Sequence, residues 1–296
     1  MTFVGFFKAL FMDANYFSRN DSSPEPLLLV GAGLPRTATA SFTYAMEKLG
    51  LKIYHFGPGV IGTPGHIELW RKHADLQLDG EKGISPELLD AIARAGFNGT
   101  ADFPSCILYK EMIERYPKAR VVLTVRSDGG GQAWASSMVD TILKITQIHR
   151  CIPFRWLPKT KHIPTLTRWF YVQLGIAIEK ADQPDETVLA TGYDTWVESV
   201  QSTVPSDQLL VFAAKDGWEP LCEFMSPLDA TIQEACQKIL ESGETYPRVN
   251  DKATVQRVLL ILGTVVLIFQ YAPLWLACGV FWWLWRRRTT AKIKSD

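Results

Sequence analysis

The chain has 296 residues, 47% of them hydrophobic, and its 31 basic and 31 acidic side chains cancel. That length makes one large domain or two modest ones, and zero net charge argues against a nucleic-acid binder, which carries a basic excess. The five cysteines (Cys106, Cys151, Cys222, Cys236, Cys278) lack C-x-x-C spacing, which implies a reducing compartment, buried unpaired thiols and no metal site.

Near the N-terminus, Val4 to Met12 is apolar but interrupted by Lys8, with no basic lead and no small-residue cleavage site. We read no signal peptide there. Residues 13–26 are polar and Pro-rich and form a connector.

Leu27 to Ser41, LLLVGAGLPRTATAS, carries the most information. Leu27–Val30 predicts a buried strand, and Phe42 to Leu49 a helix stopped by Gly50. Between them lies a turn holding Gly31, Gly33, Arg36, Thr37, Ala38, Thr39 and Ser41. A strand that delivers a turn to a helix N-terminus makes a socket for a phosphate-like anion. Backbone N–H groups point at it, the helix dipole favours negative charge, and an arginine clamps an oxygen pair. Thr37 stands six after Gly31 and no Gly-Lys pair follows, which disfavours a magnesium-nucleotide loop. A dinucleotide fingerprint wants glycine where Arg36 stands and an acid about 20 residues on. That region reads Leu51-Lys52-Ile53-Tyr54-His55, without one.

Further along, Ile53–Phe56 predicts a short strand, and 67–79 and 86–95 helices. Residues 98–103 lead into a helix over Cys106–Tyr116 that Pro117 ends. Arg120–Val125 suits a strand buried on both faces. Gly129-Gly130-Gly131 is a flexible turn, 132–148 a helix, 151–168 a Pro- and basic-rich loop able to cover a site, 168–181 a helix and Leu209–Phe212 a strand. Strands alternating with helices predict an α/β fold, a three-layer parallel sheet with helices on both faces. Ligands then lie beyond the carboxyl ends of the strands. Arg36, Arg126 with Ser136 and Ser137, and Lys215 with Trp218 all follow strand ends, a pattern suited to two separated phosphates and a stacked ring.

From Val258 to Trp285 the chain carries no charge. About 20 apolar residues cross a bilayer core, so this is one transmembrane helix and not two. Pro273 kinks it, Trp282, Trp283 and Trp285 sit at interface level, and Arg286, Arg287 and Arg288 open a basic tail, 286–296. With no leader, a terminal span means tail anchoring and a cytosolic main domain, although the basic tail pulls the other way under the positive-inside rule.

LLLVGAGLPRTATASF, YHF, ADFPSCILYKEMIERYPKARVVLTVR, LLVFAAKDGWEPLCEF and PRVND, in that order, resemble P-loop-fold sulfotransferases, in particular a fungal-type group, over roughly Leu27 to Asp251. The resemblance implies a domain over 27–251 that uses 3′-phosphoadenosine 5′-phosphosulfate (PAPS), without a metal, to sulfate a hydroxyl or amine. Arg36, Thr37 and Thr39 match the family's 5′-phosphosulfate contacts, with Gly33, Ala38 and Ser41 in the same loop. Arg126 and Ser137 match the 3′-phosphate pair, and Lys215 and Trp218 a later cofactor loop. Asp102 matches the general base, with His55 as the rival base. A helix N-cap is the other role open to Asp102. Ala38 stands where the family usually has glycine. Trp156, Trp169, Phe170 and Tyr171 point to a small hydrophobic acceptor. A non-catalytic membrane-anchored relative and an NAD-dependent oxidoreductase are the alternatives.

Overall fold

A computed structural model describes residues 26–81, 83–84, 86–177, 184–249 and 252–293. The connector over 13–26 therefore lies outside the described residues, Pro26 excepted. Five parallel strands form one sheet: β1 (Leu29–Gly31), β2 (Ile53–Tyr54), β3 (Gly99–Thr100), β4 (Arg120–Thr124) and β5 (Leu209–Phe212). Their spatial order is β2-β3-β1-β4-β5, with Val30 in register with Thr100 on one side and Val121 on the other.

Side-chain alternation sorts the strands onto two cores. Val30, Tyr54, Val121 and Leu123 face the larger one. Leu29, Ile53, Val122 and Phe212 face the smaller. The larger core is covered by α2 (His66–Leu78), α3 (Pro86–Arg94), α4 (Tyr109–Arg115), α5 (Gly130–Met138), α7 (Ile163–Gln173) and α8 (Glu186–Thr203). The smaller is covered by α1 (Thr39–Lys48), α9 (Glu219–Met225) and α10 (Ala230–Ser242). Helices on both faces of a parallel sheet are the expected three-layer α/β architecture.

Several boundaries move. Residues 98–103, expected only to lead into a helix, hold the two-residue strand β3, inserted between β1 and β2. Gly129 to Gly131 is not a flexible turn: Gly129 caps α5, and Gly130 and Gly131 open it. A Cβ on Gly131 would meet the Ala190 carbonyl oxygen at 2.5 Å, so glycine lets α5 lie directly on α8. After α5 the helix loosens through a π turn, Val139–Leu143, into α6 (Lys144–Arg150). The 151–168 loop holds two 3-10 turns, Phe154–Trp156 and Thr160–His162, and the first turns of α7. The helix expected over 168–181 stops at Gln173, because Gly175 adopts φ 71°; residues 178–183 lie outside the described residues.

Cys222 and Cys236 form a disulfide between α9 and α10, with Cα atoms 5.4 Å apart. This corrects the expectation of unpaired thiols. Two helices folding against the same core bring together cysteines whose sequence spacing carries no signal.

Finally, α11 (Lys252–Ile293) is one continuous helix that takes in both the apolar segment and most of the basic tail, with Pro273 inside it. Gln256–Trp283 is long and apolar enough to cross a membrane, with a mean hydropathy of 2.0.

Candidate active site

The sheet order lines up five loop beginnings along the carboxyl edge. In order they carry His55 (after β2), Asp102 (after β3), Arg36 (after β1), Arg126 (after β4) and Lys215 (after β5). Neighbouring strands lie about 4.8 Å apart, so His55 to Arg126 spans roughly 14 Å of edge.

The central element is the loop between β1 and α1. A Cβ on Gly33 would collide with Thr124 Oγ1 at 1.8 Å, so glycine is required for the loop to pass the end of β4. The loop's carbonyls are tied to the protein. Trp196 Nε1 donates to the Ala32 carbonyl at 2.9 Å, Trp134 Nε1 to Pro35 at 2.6 Å and Thr37 Oγ1 to Leu34 at 2.7 Å. Thr37 is buried and also hydrogen-bonds Thr124 Oγ1 at 2.6 Å, so its hydroxyl is spent on holding the loop. Ser41 Oγ accepts from the Val249 amide at 2.9 Å, which spends that hydroxyl on docking the C-terminal arm of the domain. With the carbonyls turned into the protein, the donors left to face a ligand are the Arg36 guanidinium and the backbone amides at the start of α1. At α1 no side chain caps the N-terminus and no acid sits in the first turn. The Thr39, Ala40 and Ser41 amides therefore lack intrahelical partners, the arrangement that binds anions. Thr39 itself is buried.

Arg36 donates from Nε to Ser137 Oγ at 3.2 Å, across 101 residues of sequence. Its pKa is lowered first by burial, against which the charge of Asp102 acts, while Arg126 lowers it further. The Arg36 guanidinium thus sits in the fields of a carboxylate on one side and a second guanidinium on the other. Arg126 is anchored through its amide, which donates to Tyr193 Oη at 3.1 Å, and one terminal nitrogen reaches Asp128 at 3.3 Å. Its Nε is buried without a hydrogen-bond partner.

On the other flank, His55 Nε2 lies 3.0 Å from Asp102 Oδ2. The contact is close but off-line, because Nε2 makes no well-aligned hydrogen bond. Asp102 Oδ1 is also buried and unpartnered. The Asp102 backbone turns at φ 68°, and its carbonyl, not its carboxylate, accepts from Cys106 N at 2.9 Å and Ser105 Oγ at 3.0 Å. No side chain caps the Ser105–Leu108 turn. The N-cap role is therefore set aside, and the carboxylate is left for the edge. Among the described residues the non-glycine positions with positive φ are Arg36 (70°), Ala38 (63°) and Asp102 (68°). Strained backbone held in place at one locus is a mark of a functional site.

Lys215 is exposed in a short turn beyond β5. Trp218 departs from the expected stacking platform: it is 5% exposed in the smaller core and packs edge-on against Tyr246, with ring centroids 5.3 Å apart. The sequence reading missed Trp134, Tyr193 and Trp196. The last two lie on α8, whose buried stripe Leu189, Tyr193, Trp196, Val200 follows helical spacing behind the N-cap Asp185. That periodicity was the signal available for them.

A half-buried carboxylate, a clamped arginine and a second arginine along one edge of a parallel sheet can bind a polyanion and take a proton beside it. The comparisons agree in kind. A sequence model of the sulfotransferase domain family matches residues 28–255. Ava biosynthesis cluster protein M of Aspergillus versicolor is 31% identical over 209 residues, covering 65% of this chain and 74% of that protein. The chain belongs to the sulfotransferase family and is a sulfotransferase.

Proposed function

We propose that the enzyme moves a sulfuryl group from PAPS to a hydroxyl of a small hydrophobic acceptor, with the donor lying along the edge from Arg36 to Arg126 and the acceptor oxygen at Asp102. One observation carries this reading. Two buried, unpartnered polar atoms of opposite character, Asp102 Oδ1 and Arg126 Nε, flank the Arg36 guanidinium. A nucleotide with separated anionic groups satisfies the arginine, and a hydroxyl donor satisfies the carboxylate.

PAPS supplies an activated sulfuryl group and a leaving phosphate when bound. Arg126 and Ser137 hold the 3′-phosphate end, and Ser137 Oγ also fixes Arg36. Arg36, with the open amides at the start of α1, neutralises charge growing on the leaving-group oxygen. Sulfuryl transfer, like phosphoryl transfer, is expected to be loose, so positioning and charge stabilisation supply most of the rate. Asp102 Oδ1 takes the acceptor hydroxyl's proton while His55 stands against Oδ2 and holds the carboxylate's orientation. The partner wall is apolar: Phe56 and Phe103, each one residue beyond His55 and Asp102, stack with centroids 6.1 Å apart. That wall favours a hydrophobic acceptor. We assign α11 as a single-pass membrane anchor.

The test is transfer of labelled sulfuryl from PAPS to a panel of phenols, sterols and amines by the full chain, with Arg36→Ala and Arg126→Ala alongside. Loss of turnover in Arg36→Ala, together with a higher PAPS concentration needed by Arg126→Ala, supports the assignment. Failure to bind adenosine 3′,5′-bisphosphate would overturn it.

A further inference from the structure

The acid-free stretch from Thr141 to Ile178 carries six cations, Lys144, Arg150, Arg155, Lys159, Lys161 and Arg168, in a chain whose charges cancel as a whole. Part of it is also apolar and exposed. Trp156 is 68% exposed and Ile152 37%. Neither belongs to a floppy tip. Phe154 between them is buried, the Arg155 amide donates to the Cys151 carbonyl at 3.0 Å, and the Thr160 hydroxyl closes the turn on the Phe154 carbonyl. A fold that orders a loop in order to present tryptophan among exposed arginines and lysines needs something amphipathic opposite.

The position of α11 says what that is. The helix lies on α6 and on the π turn before it, with Leu262 fully buried and Val258, Leu259, Val265 and Val266 half-buried. From Leu267 to Trp283 it stands almost wholly clear of the domain. That free length is about 25 Å at 1.5 Å per residue, short of the roughly 30 Å hydrocarbon core. Even with Leu284 and Trp285 added, the hydrocarbon edge falls within about one turn of the stretch from Leu262 to Val266, which is still packed on the domain. The α6 surface is then at headgroup level, and the 151–161 segment leaves directly from its end. Arg257, exposed just ahead of the packed turn, adds a further cation on this side.

We infer that Arg150, Ile152, Arg155, Trp156 and Lys161 form a second membrane contact, which seats the catalytic domain on the anionic surface of the bilayer that α11 spans. Tryptophan belongs at the headgroup boundary, and cations near it are drawn to anionic lipid. The contact makes the domain's orientation fixed, where a single helix alone would leave it free to swivel.

This rests on the assignment of α11 as an anchor, and the experiment separates the two. The full chain is reconstituted into vesicles of phosphatidylcholine alone and of phosphatidylcholine mixed with phosphatidylserine. Flotation reads the anchor, and amide hydrogen exchange over 150–161 reads the contact. The expected result is co-flotation with both vesicles, with exchange over the segment slower on the mixed ones, by about fivefold for each cation engaged, and the difference erased by high salt. Arg155→Glu with Lys161→Glu, both exposed sites, abolishes the difference and leaves flotation and the thermal melt intact, and Trp156→Ala weakens it on both vesicles. Co-flotation with identical exchange on the two vesicles, or protection equal to that of the chain in detergent, overturns the membrane contact and spares the anchor. Loss of flotation from both vesicles overturns the anchor and the contact with it.

Discussion

The carboxyl edge of the sheet has two halves that meet at Arg36. Beyond β2 and β3 lie His55 and Asp102, a pair able to handle a proton. Beyond β1 and β4 lie Arg36, Ser137 and Arg126, a set able to hold anions. Each half keeps buried polar atoms without a hydrogen-bond partner: Asp102 Oδ1 and His55 Nε2 on the first, Arg126 Nε on the second. Leaving such groups unmade costs stability in the free protein, about 1–3 kcal/mol each. The cost is of the kind a site accepts when its ligand supplies the missing partner. On the proposed reading, the difference between the halves puts binding and proton transfer on separate strands, with one arginine as the joint.

The largest expected effect falls on the proton-handling half. Asp102→Asn keeps the shape and removes the base, so kcat drops by about 10²–10⁴ while affinity for adenosine 3′,5′-bisphosphate stays as in the parent. Weakened nucleotide binding in this variant would erase the division between the halves. His55→Ala sharpens it: if His55 only orients the carboxylate, its loss is smaller than that of Asp102→Asn, and the reverse order makes His55 the base. At the joint, Arg36→Ala lowers kcat by about 10²–10³, the usual loss for one preorganised donor. Arg36→Lys restores little, because lysine cannot span Ser137 and the leaving group as a planar fork does. On the anion-holding half, Arg126→Ala weakens nucleotide affinity roughly tenfold to a hundredfold, from lost charge-assisted hydrogen bonds, and leaves kcat at saturation nearly unchanged.

Two smaller effects probe the frame. Behind the proton-handling half, Trp70 Nε1 donates to Tyr54 Oη at 2.8 Å, and that hydroxyl lies 3.0 Å from His66 Nδ1. Burial pushes His66 down to about 4. The unfolded chain takes a proton near 6.5 and the folded chain does not, so stability is lost as pH falls from about 6.5 toward about 4. His66 contributes about 1.4 kcal/mol per pH unit to that slope, on top of His149, which burial also pushes down to about 4, and of His73 and His162, which burial also lowers. Urea unfolding across that window measures it, and His66→Gln flattens it by one proton. Least of all, Ala38→Gly relieves a left-handed, exposed alanine at the cap of α1, worth about 1 kcal/mol. It raises the melting temperature by about 2–4 °C and is expected to leave turnover in place. A drop in stability there would mean that the methyl group packs in a way its exposure does not suggest.

Much of the anion-holding half was legible. The run into Gly31, the turn with Arg36, the strand ending before Arg126 and the strand Leu209–Phe212 are all local patterns, and they stand where the sequence puts them. The proton-handling half was half legible. Asp102 and His55 were each marked, but as rivals, and the structure sets them 3.0 Å apart. The strands that carry them, β2 and β3, have two residues each, too few for a period to show.

What the sequence by itself determined is whatever repeats along the chain: buried strands, the glycine-rich turn that joins β1 to α1, and an apolar helix long enough for a bilayer. Burial writes those into consecutive residues. Only the tertiary structure decided that β3 inserts between β1 and β2, that Ser137 meets Arg36, that two indoles hold the loop's carbonyls, that Cys222 joins Cys236, and that α11 lies against α6. Those contacts join residues far apart in the chain. They follow from which crossovers close and which faces pack, and a periodic pattern within one segment does not encode its neighbour.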